Sequence, residues 1–305
     1  MVRIFKILGL SLCISVILSS CFSSQKSQYI ILQNKGSDTL VNLAQVWAEA
    51  YRQVEPNIAI AVSGGGSGTG IAALINNQVD IANSSRPIKE EERIKAKLNS
   101  GKDVVGFVVG MDALSVFVHP LNPLNELSME EIGCIYGEGG ECEYWHQIRG
   151  TIVPGCKDNK IIRVSRQSNS GTYQYFLETT MGKKRDMKLG SMDLNGSMES
   201  IDFVQKVPCS IGYTGMGYIT KHVKALCLSK DHAPCVMPTL ENAASKAYPI
   251  ARELFFYTLG EPTGEIKKYI DWIKSKEATK LVIKMGYVPS PAFVTPEELK
   301  KILEE

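Results

Sequence analysis

Val62-Ser63-Gly64-Gly65-Gly66-Ser67-Gly68-Thr69-Gly70-Ile71 is the stretch from which the rest of the chain is read. A β-rich run, Ile58 to Val62, leads into it, and the apolar spacing from Ile71 to Asn77 predicts a helix after it. A glycine-rich turn at a helix start leaves backbone N–H groups without intrahelical partners, at the positive end of the helix dipole. Such a turn can hold an anion. Ser67 and Thr69 add hydroxyl donors without adding charge. Two more turns of this kind occur, Gly36-Ser37-Asp38-Thr39-Leu40 and Arg166-Gln167-Ser168-Asn169-Ser170-Gly171-Thr172. Each lies between a strand-like and a helix-like run, so the three are expected to converge on one small oxyanion.

Outward from the turns, the pattern is α/β. Tyr29–Gln33, Ile58–Val62, Val79–Asn83 and Val104–Val109 read as strands. Helices are expected over Thr39–Val54, where Leu40, Leu43, Ala44, Trp47 and Tyr51 share a face, and over Ile88–Leu98. That alternation implies a mostly parallel sheet flanked by helices. The pattern changes at Gly110-Met111-Asp112, after which Ala113–His119 is a separate β run. Ser128 caps a helix to Tyr136, and Gly137–Lys160 reads as an ornamented loop. Ile161–Ser165 is a strand leading into the Arg166 turn, with a helix from Gly171 to Met181 and another from Ser197 to Lys206. Further strands follow at Ile211–Tyr213 and Ala225–Leu228. Ile250–Leu259 is a β run expected to return the chain to the first lobe. Helices follow at Glu265–Ile273, Ala278–Met285 and Pro296–Leu303. The organisation expected is lobe I from 29–110 plus 251–305, and lobe II from 111–250.

A small anion taken from water must have its hydration replaced almost completely. Thr39, Ser67, Ser170 and Thr172 supply hydroxyls, and Leu40, Gly68 and Gly171 supply backbone N–H groups. Arg166 can add charge-assisted bonds. Rival motifs are weaker. Gly68-Thr69-Gly70-Ile71-Ala72-Ala73 matches a dinucleotide fingerprint, but the nearest carboxylate, Asp80, lies about half the required interval away. A phosphate-binding P-loop would need Lys-Ser/Thr after its glycines, and a nucleophile elbow would need G-x-S-x-G.

The 305 residues are 44% hydrophobic and 22% charged, as expected of a globular chain with more than one core. The formal charge is +2. Arg3 and Lys6 account for both units, leaving zero once they are removed, and a nucleic-acid binder would need a basic face. They open a segment, residues 1–20, whose apolar run Ile7–Leu18 has the length of a signal-peptide core. Leu18-Ser19-Ser20-Cys21 resembles a lipobox, so Cys21 is the expected lipidation site, and residues 21–28 read as a tether. Of eight cysteines, six remain beyond Cys13 and Cys21: Cys134, Cys142, Cys156, Cys209, Cys227 and Cys235. An even number in an exported chain points to disulfides. Cys227 with Cys235, flanking a turn, is the favoured pair, followed by Cys142 with Cys156. Without C-x-x-C and with scattered histidines, no metal and no cofactor are expected.

Taken in order, Gly36-Ser37-Asp38-Thr39-Leu40, the Gly64–Gly70 turn, Asp80-Ile81-Ala82-Asn83-Ser84-Ser85-Arg86 and Arg166-x-x-x-Ser170-Gly171-Thr172 are distinctive. With Ile211-Gly212-Tyr213 and Tyr248-Pro249-Ile250, they resemble the phosphate-binding lipoproteins of the high-affinity phosphate ABC importer, the PstS family. The resemblance runs from about Tyr29 to about Val288. It implies a two-lobed periplasmic-binding-protein fold of type II with two hinge crossings. One inorganic phosphate would be held in the cleft between the lobes and delivered to ABC transporter permease subunits. The protein would be a monomer, lipid-anchored and facing the periplasm or cell exterior. By motif, the phosphate-binding residues are Thr39, Leu40, Ser67, Ser85, Arg166, Ser170, Gly171 and Thr172. Many family members carry aspartate where this chain has Ser85, and a carboxylate there reads the proton on phosphate and repels sulfate. Asp38 is the candidate replacement, with helix capping as its alternative role. Another oxyanion (sulfate, molybdate or a phosphonate), a phosphatase and a lipid-anchored adhesin are the remaining readings.

Overall fold

The computed structural model describes residues 29–182 and 185–304. The expected signal peptide, Cys21 and the tether lie outside the described residues. The first elements are β1 (Ile30–Gly36), α1 (Asp38–Val54), β2 (Ile58–Ser63), α2 (Ser67–Ile75), β3 (Ile81–Ser84), α3 (Glu90–Ser100) and β4 (Val104–Val118). There follow β5 (Glu126–Ser128), α4 (Met129–Tyr136), β6 (Ile162–Arg166), α5 (Gly171–Thr180), β7 (Met192–Leu194), α6 (Ser197–Val204), β8 (Ser210–Gly215), β9 (Lys224–Ala225), β10 (Cys227–Ser229) and α7 (Leu240–Ala244). The chain ends with β11 (Ala251–Leu259), α8 (Gly264–Trp272), α9 (Lys276–Lys284), β12 (Val288–Pro289) and α10 (Pro296–Glu304).

The main sheet runs β2-β1-β3-β11-β4-β8-β6-β7. Its outer trios, β2-β1-β3 and β8-β6-β7, are parallel, as alternating strands and helices predict. Between them β11 and β4 run antiparallel, because they carry the chain back and forth between the lobes. Two strands were expected on either side of Gly110-Met111-Asp112, but β4 is a single strand of 15 residues. Its first part, through Ala113, pairs with β11, and Leu114–Val118 pairs with β8. The β11 register shifts between Leu254 and Phe255, opposite Gly110 and Val108. A bulge of this kind bends a strand without ending it. The polar interruption in the sequence is therefore the crossing point, not a terminus.

Each lobe buries apolar side chains on both faces of its part of the sheet. In the first, Leu40, Leu43 and Trp47 of α1 pack with Leu32, Ile58 and Ile81, while Ile71 and Leu74 of α2 cover Ala82 on the other face. In the second, Val116, Ile132, Tyr136, Phe176 and Tyr213 form the larger core, with Phe117, Val164 and Ile201 opposite. The 137–160 segment is no ornament: Trp145, Ile148 and Val153 are buried in that core. It doubles back on itself, with Trp145 N–H donating to Asn159 O and Ile161 N–H to Glu143 O. This reversal corrects the expected Cys142–Cys156 pair. Cys142 instead meets Cys134 on the last turn of α4, and Cys156 meets Cys209 just before β8. Cys227–Cys235 forms as expected. At the C-terminus β12 pairs with β4 at the crossing, and Leu299 of α10 packs against the second core. No described helix is long and apolar enough to cross a membrane.

Candidate functional site

All three glycine or serine turns lie at the C-terminal ends of strands β1, β2 and β6 and open helices α1, α2 and α5. Strands that end at one edge of each lobe's sheet, with helices on both faces, bring those turns to one crevice, where α/β sheets bind ligands. The second helix begins at Ser67, four residues earlier than its apolar spacing indicates, so Ser67 stands at its N-terminus. Gly70 allows α2 to lie against β1: a Cβ there would stand 2.3 Å from Lys35 O.

Five hydroxyls gather at the crevice, four from the first lobe and that of Thr172 from the second. Thr39 Oγ1 of the first lobe lies 2.8 Å from Thr172 Oγ1 of the second. Ser85 N–H donates to Ser67 Oγ at 3.1 Å, and the two serine oxygens are 3.4 Å apart. Ser37 Oγ donates to Ser85 Oγ at 2.8 Å. Gly171 sits directly over this pair, where a Cβ would be 2.2 Å from Ser67 Oγ and 2.8 Å from Ser85 Oγ. Ser170 Oγ accepts from Thr172 N–H and Tyr173 N–H as the N-cap of α5. A hydroxyl that accepts a bond from a fixed donor keeps its own hydrogen for another partner. Ser67 and Ser170 are both in that position.

Arg166, only 1% exposed, closes the site from the second lobe. Its Nη1 donates to Ser197 Oγ at 3.2 Å, and its Nη2 donates to Asn195 O at 2.7 Å and to Asp38 Oδ2 at 3.1 Å. Its Nε is buried with no partner among the described residues. Burial pulls its pKa below the ordinary value, while the Asp38 carboxylate works against that shift. Asp38 does not cap its helix. Its Oδ1 accepts from Gly65 N–H at 2.9 Å, so it ties the glycine turn to the arginine.

Two expected backbone donors are engaged elsewhere. Leu40 N–H bonds Ser37 O within the first turn of α1, and Gly68 N–H bonds Asn169 O across the crevice. Asn169, unforeseen from sequence, also donates from Nδ2 to Gly65 O and Thr69 Oγ1. It clasps one lobe to the other at the rim of the crevice. Asp112 and Arg252 were missed as well. They pair across β4 and β11, with Arg252 Nη2 2.8 Å from Asp112 Oδ2. Arg252 Nη2 also donates to Thr39 Oγ1 at 3.2 Å. The signal for Arg252 was a charged residue in the buried phase of an apolar strand, Arg252-Glu253-Leu254-Phe255-Phe256.

The chain matches the PBP superfamily domain over residues 23–277. It is 31% identical over 280 residues to the phosphate-binding protein PstS of Pseudomonas aeruginosa, covering 89% of this chain and 86% of that one. The chain belongs to the PstS family. PstS of Bacillus subtilis is 32% identical over 255 residues, covering 83% of this chain and 79% of that one. Among solved structures, a Clostridium perfringens protein assigned as a phosphate ABC transporter substrate-binding protein, with bound phosphate, superposes with a TM-score of 0.75. It is 26% identical and covers 85% of this chain and 99% of its own. The two-lobed arrangement is thus the type II binding-protein fold of the PstS family, with the three turns on facing walls of its cleft.

Proposed function

We propose that this chain captures one inorganic phosphate between its lobes and hands it to an ABC importer, with no bond broken. The observation that carries this reading is the meeting of Thr39, Ser67, Ser85 and Thr172 hydroxyls beside the buried Arg166 guanidinium. Neutral donors and one cation suit a small, enclosed anion rather than a polyanion. Ser170 and the backbone at Gly171 complete the phosphate-binding set, and the Leu40 and Gly68 N–H groups leave it. An entering anion replaces the hydroxyl–hydroxyl bonds with hydroxyl–anion bonds made to both lobes at once, which favours closure.

Hydrogenphosphate carries a proton that needs an acceptor. Asp38 is the carboxylate that faces Arg166, and a carboxylate has about four lone-pair positions, of which Gly65 N–H and Arg166 take two. In this proposal Asp38 reads the phosphate proton in place of the aspartate that Ser85 replaces. Sulfate is the second reading, favoured by Ser85, whose neutral hydroxyl cannot repel a fully ionised anion.

The lobes are read as 29–110 with 251–305 and 111–250, hinged where Asp112 and Arg252 pair, with Val288 and Leu299 of the last segment packing on the second core. Residues 1–20 serve as a signal peptide and Cys21 carries the lipid that holds a monomeric protein outside the cytoplasm. Equilibrium dialysis of the purified protein against radiolabelled phosphate tests the central reading. One phosphate bound per chain is expected, and a chain that retains none refutes it.

A further inference from the structure

Asp112 and Arg252 form a wholly buried ion pair on the two strands that cross between the lobes. They are direct register partners. Such a pair is not explained by stability, since apolar residues of similar volume often do as well. What distinguishes this one is where its remaining groups go. Arg252 Nη2 donates to Thr39 Oγ1 at 3.2 Å and Nη1 to Ser85 O at 3.3 Å, so the guanidinium reaches two residues of the first-lobe wall. Asp112 Oδ1 accepts from Met216 N–H at 2.9 Å, just past β8 of the second lobe. Gly215 makes the approach feasible, because a Cβ there would lie 2.8 Å from Asp112 Oδ2 and 3.0 Å from Thr39 Cγ2. Tyr175 backs the guanidinium, with its ring centroid 5.8 Å away.

We infer that Arg252, held by Asp112, is a positioning residue that makes Thr39 a one-way donor toward the bound anion. This rests on the phosphate-binding reading above. A hydroxyl that accepts from a guanidinium has its own hydrogen directed away from the cation, and the neighbouring positive charge strengthens the bond that hydrogen makes. For Thr39 the direction away from Arg252 leads to Thr172, across the cleft. The same contact anchors Thr39 to the crossing strands, so lobe movement and Thr39 orientation share one element.

A thermodynamic cycle tests this. Arg252→Met alone would strand a buried carboxylate, so the pair is removed together as Asp112→Asn/Arg252→Met, with Asn retaining an acceptor for Met216 N–H. Phosphate affinity is measured by calorimetry for the native chain, the pair variant, Thr39→Val and the triple variant. The pair variant is expected to bind phosphate about tenfold or more weakly, the value of one charge-assisted bond. Thr39→Val should cost at least as much in the native background, and no more than about twofold in the pair variant, since coupled residues are not additive. Native affinity in the pair variant, or equal cost of Thr39→Val in both backgrounds, overturns the inference. Should the pair variant not fold, Arg252→Lys keeps a cation beside Asp112 but cannot reach Thr39 as well, and the same loss is expected of it. Should the native chain bind no phosphate, the functional reading fails separately. The positioning role is then read from three-bond couplings of the Thr39 side chain. One rotamer in the native chain and averaging in Arg252→Lys supports it, and unchanged couplings overturn it.

Discussion

Replacing Arg166 with methionine probes the charged wall of the cleft. A guanidinium has five N–H donors. Three are engaged by Ser197, Asp38 and Asn195, which leaves two for an anion, one of them the unpartnered Nε–H. A hydrogen bond to a charged group contributes about 1.5–3 kcal/mol, so losing two removes roughly 3 kcal/mol or more. That weakens binding by about a hundredfold at the least. A second loss follows, because Asp38, 17% exposed, loses its cation and keeps only the Gly65 N–H, with its charge toward the anion. Asp38→Asn/Arg166→Met separates the two effects, and recovery relative to the single variant measures the repulsion. Titration calorimetry with phosphate, alongside thermal melts to confirm folding, is the assay. A folded Arg166→Met protein whose affinity falls less than about tenfold would refute the reasoning that this guanidinium contacts the ligand.

Gly171→Ala should leave both lobes intact yet prevent their meeting, since the added Cβ would stand 2.2 Å from Ser67 Oγ. Its melting temperature is expected to stay near native while phosphate affinity drops, and native affinity would contradict the interlobe contact. Asn169→Ala removes the clasp on Gly65 O and Thr69 Oγ1, so stopped-flow release of phosphate should quicken by about five- to a hundredfold, the equivalent of two neutral hydrogen bonds. An unchanged release rate counts against a latch. Burial alone would raise the Glu92 carboxyl, but Arg86 at 2.7 Å and the Lys89 N–H hold it below its ordinary 4.5. A depressed folded-state value contributes stability above the unfolded pKa and loses it as pH falls through the folded one. Urea melts between about pH 3 and pH 6 should therefore show a shallower acid loss for Glu92→Gln than for the native chain, and parallel curves would exclude the pair as a source.

The cleft was legible because its parts are local. Gly64–Gly70 and Ser170-Gly171-Thr172 carry their own turn chemistry, and α1 shows its buried face in the spacing of Leu40, Leu43, Trp47 and Tyr51. What escaped was set by distant partners. Asp112 looked like a break because a charged residue beside Gly110 interrupts an apolar run, and only the pairing with Arg252, 140 residues on, keeps it in a strand. Cys156 could not be matched with Cys209 from a segment that reads as a loop, since burial of Trp145 and Ile148 is what folds it back toward β8. Asp38 was legible as a cleft carboxylate but not its partners, because Gly65 and Arg166 come from different turns.

Parallel calorimetric titration of the native protein with phosphate and with sulfate tests most directly that this is a phosphate-capturing cleft read by Asp38. One phosphate per chain, with sulfate bound at least about a hundredfold more weakly, is the predicted result. Equal or tighter sulfate binding, or no heat from phosphate, would contradict it.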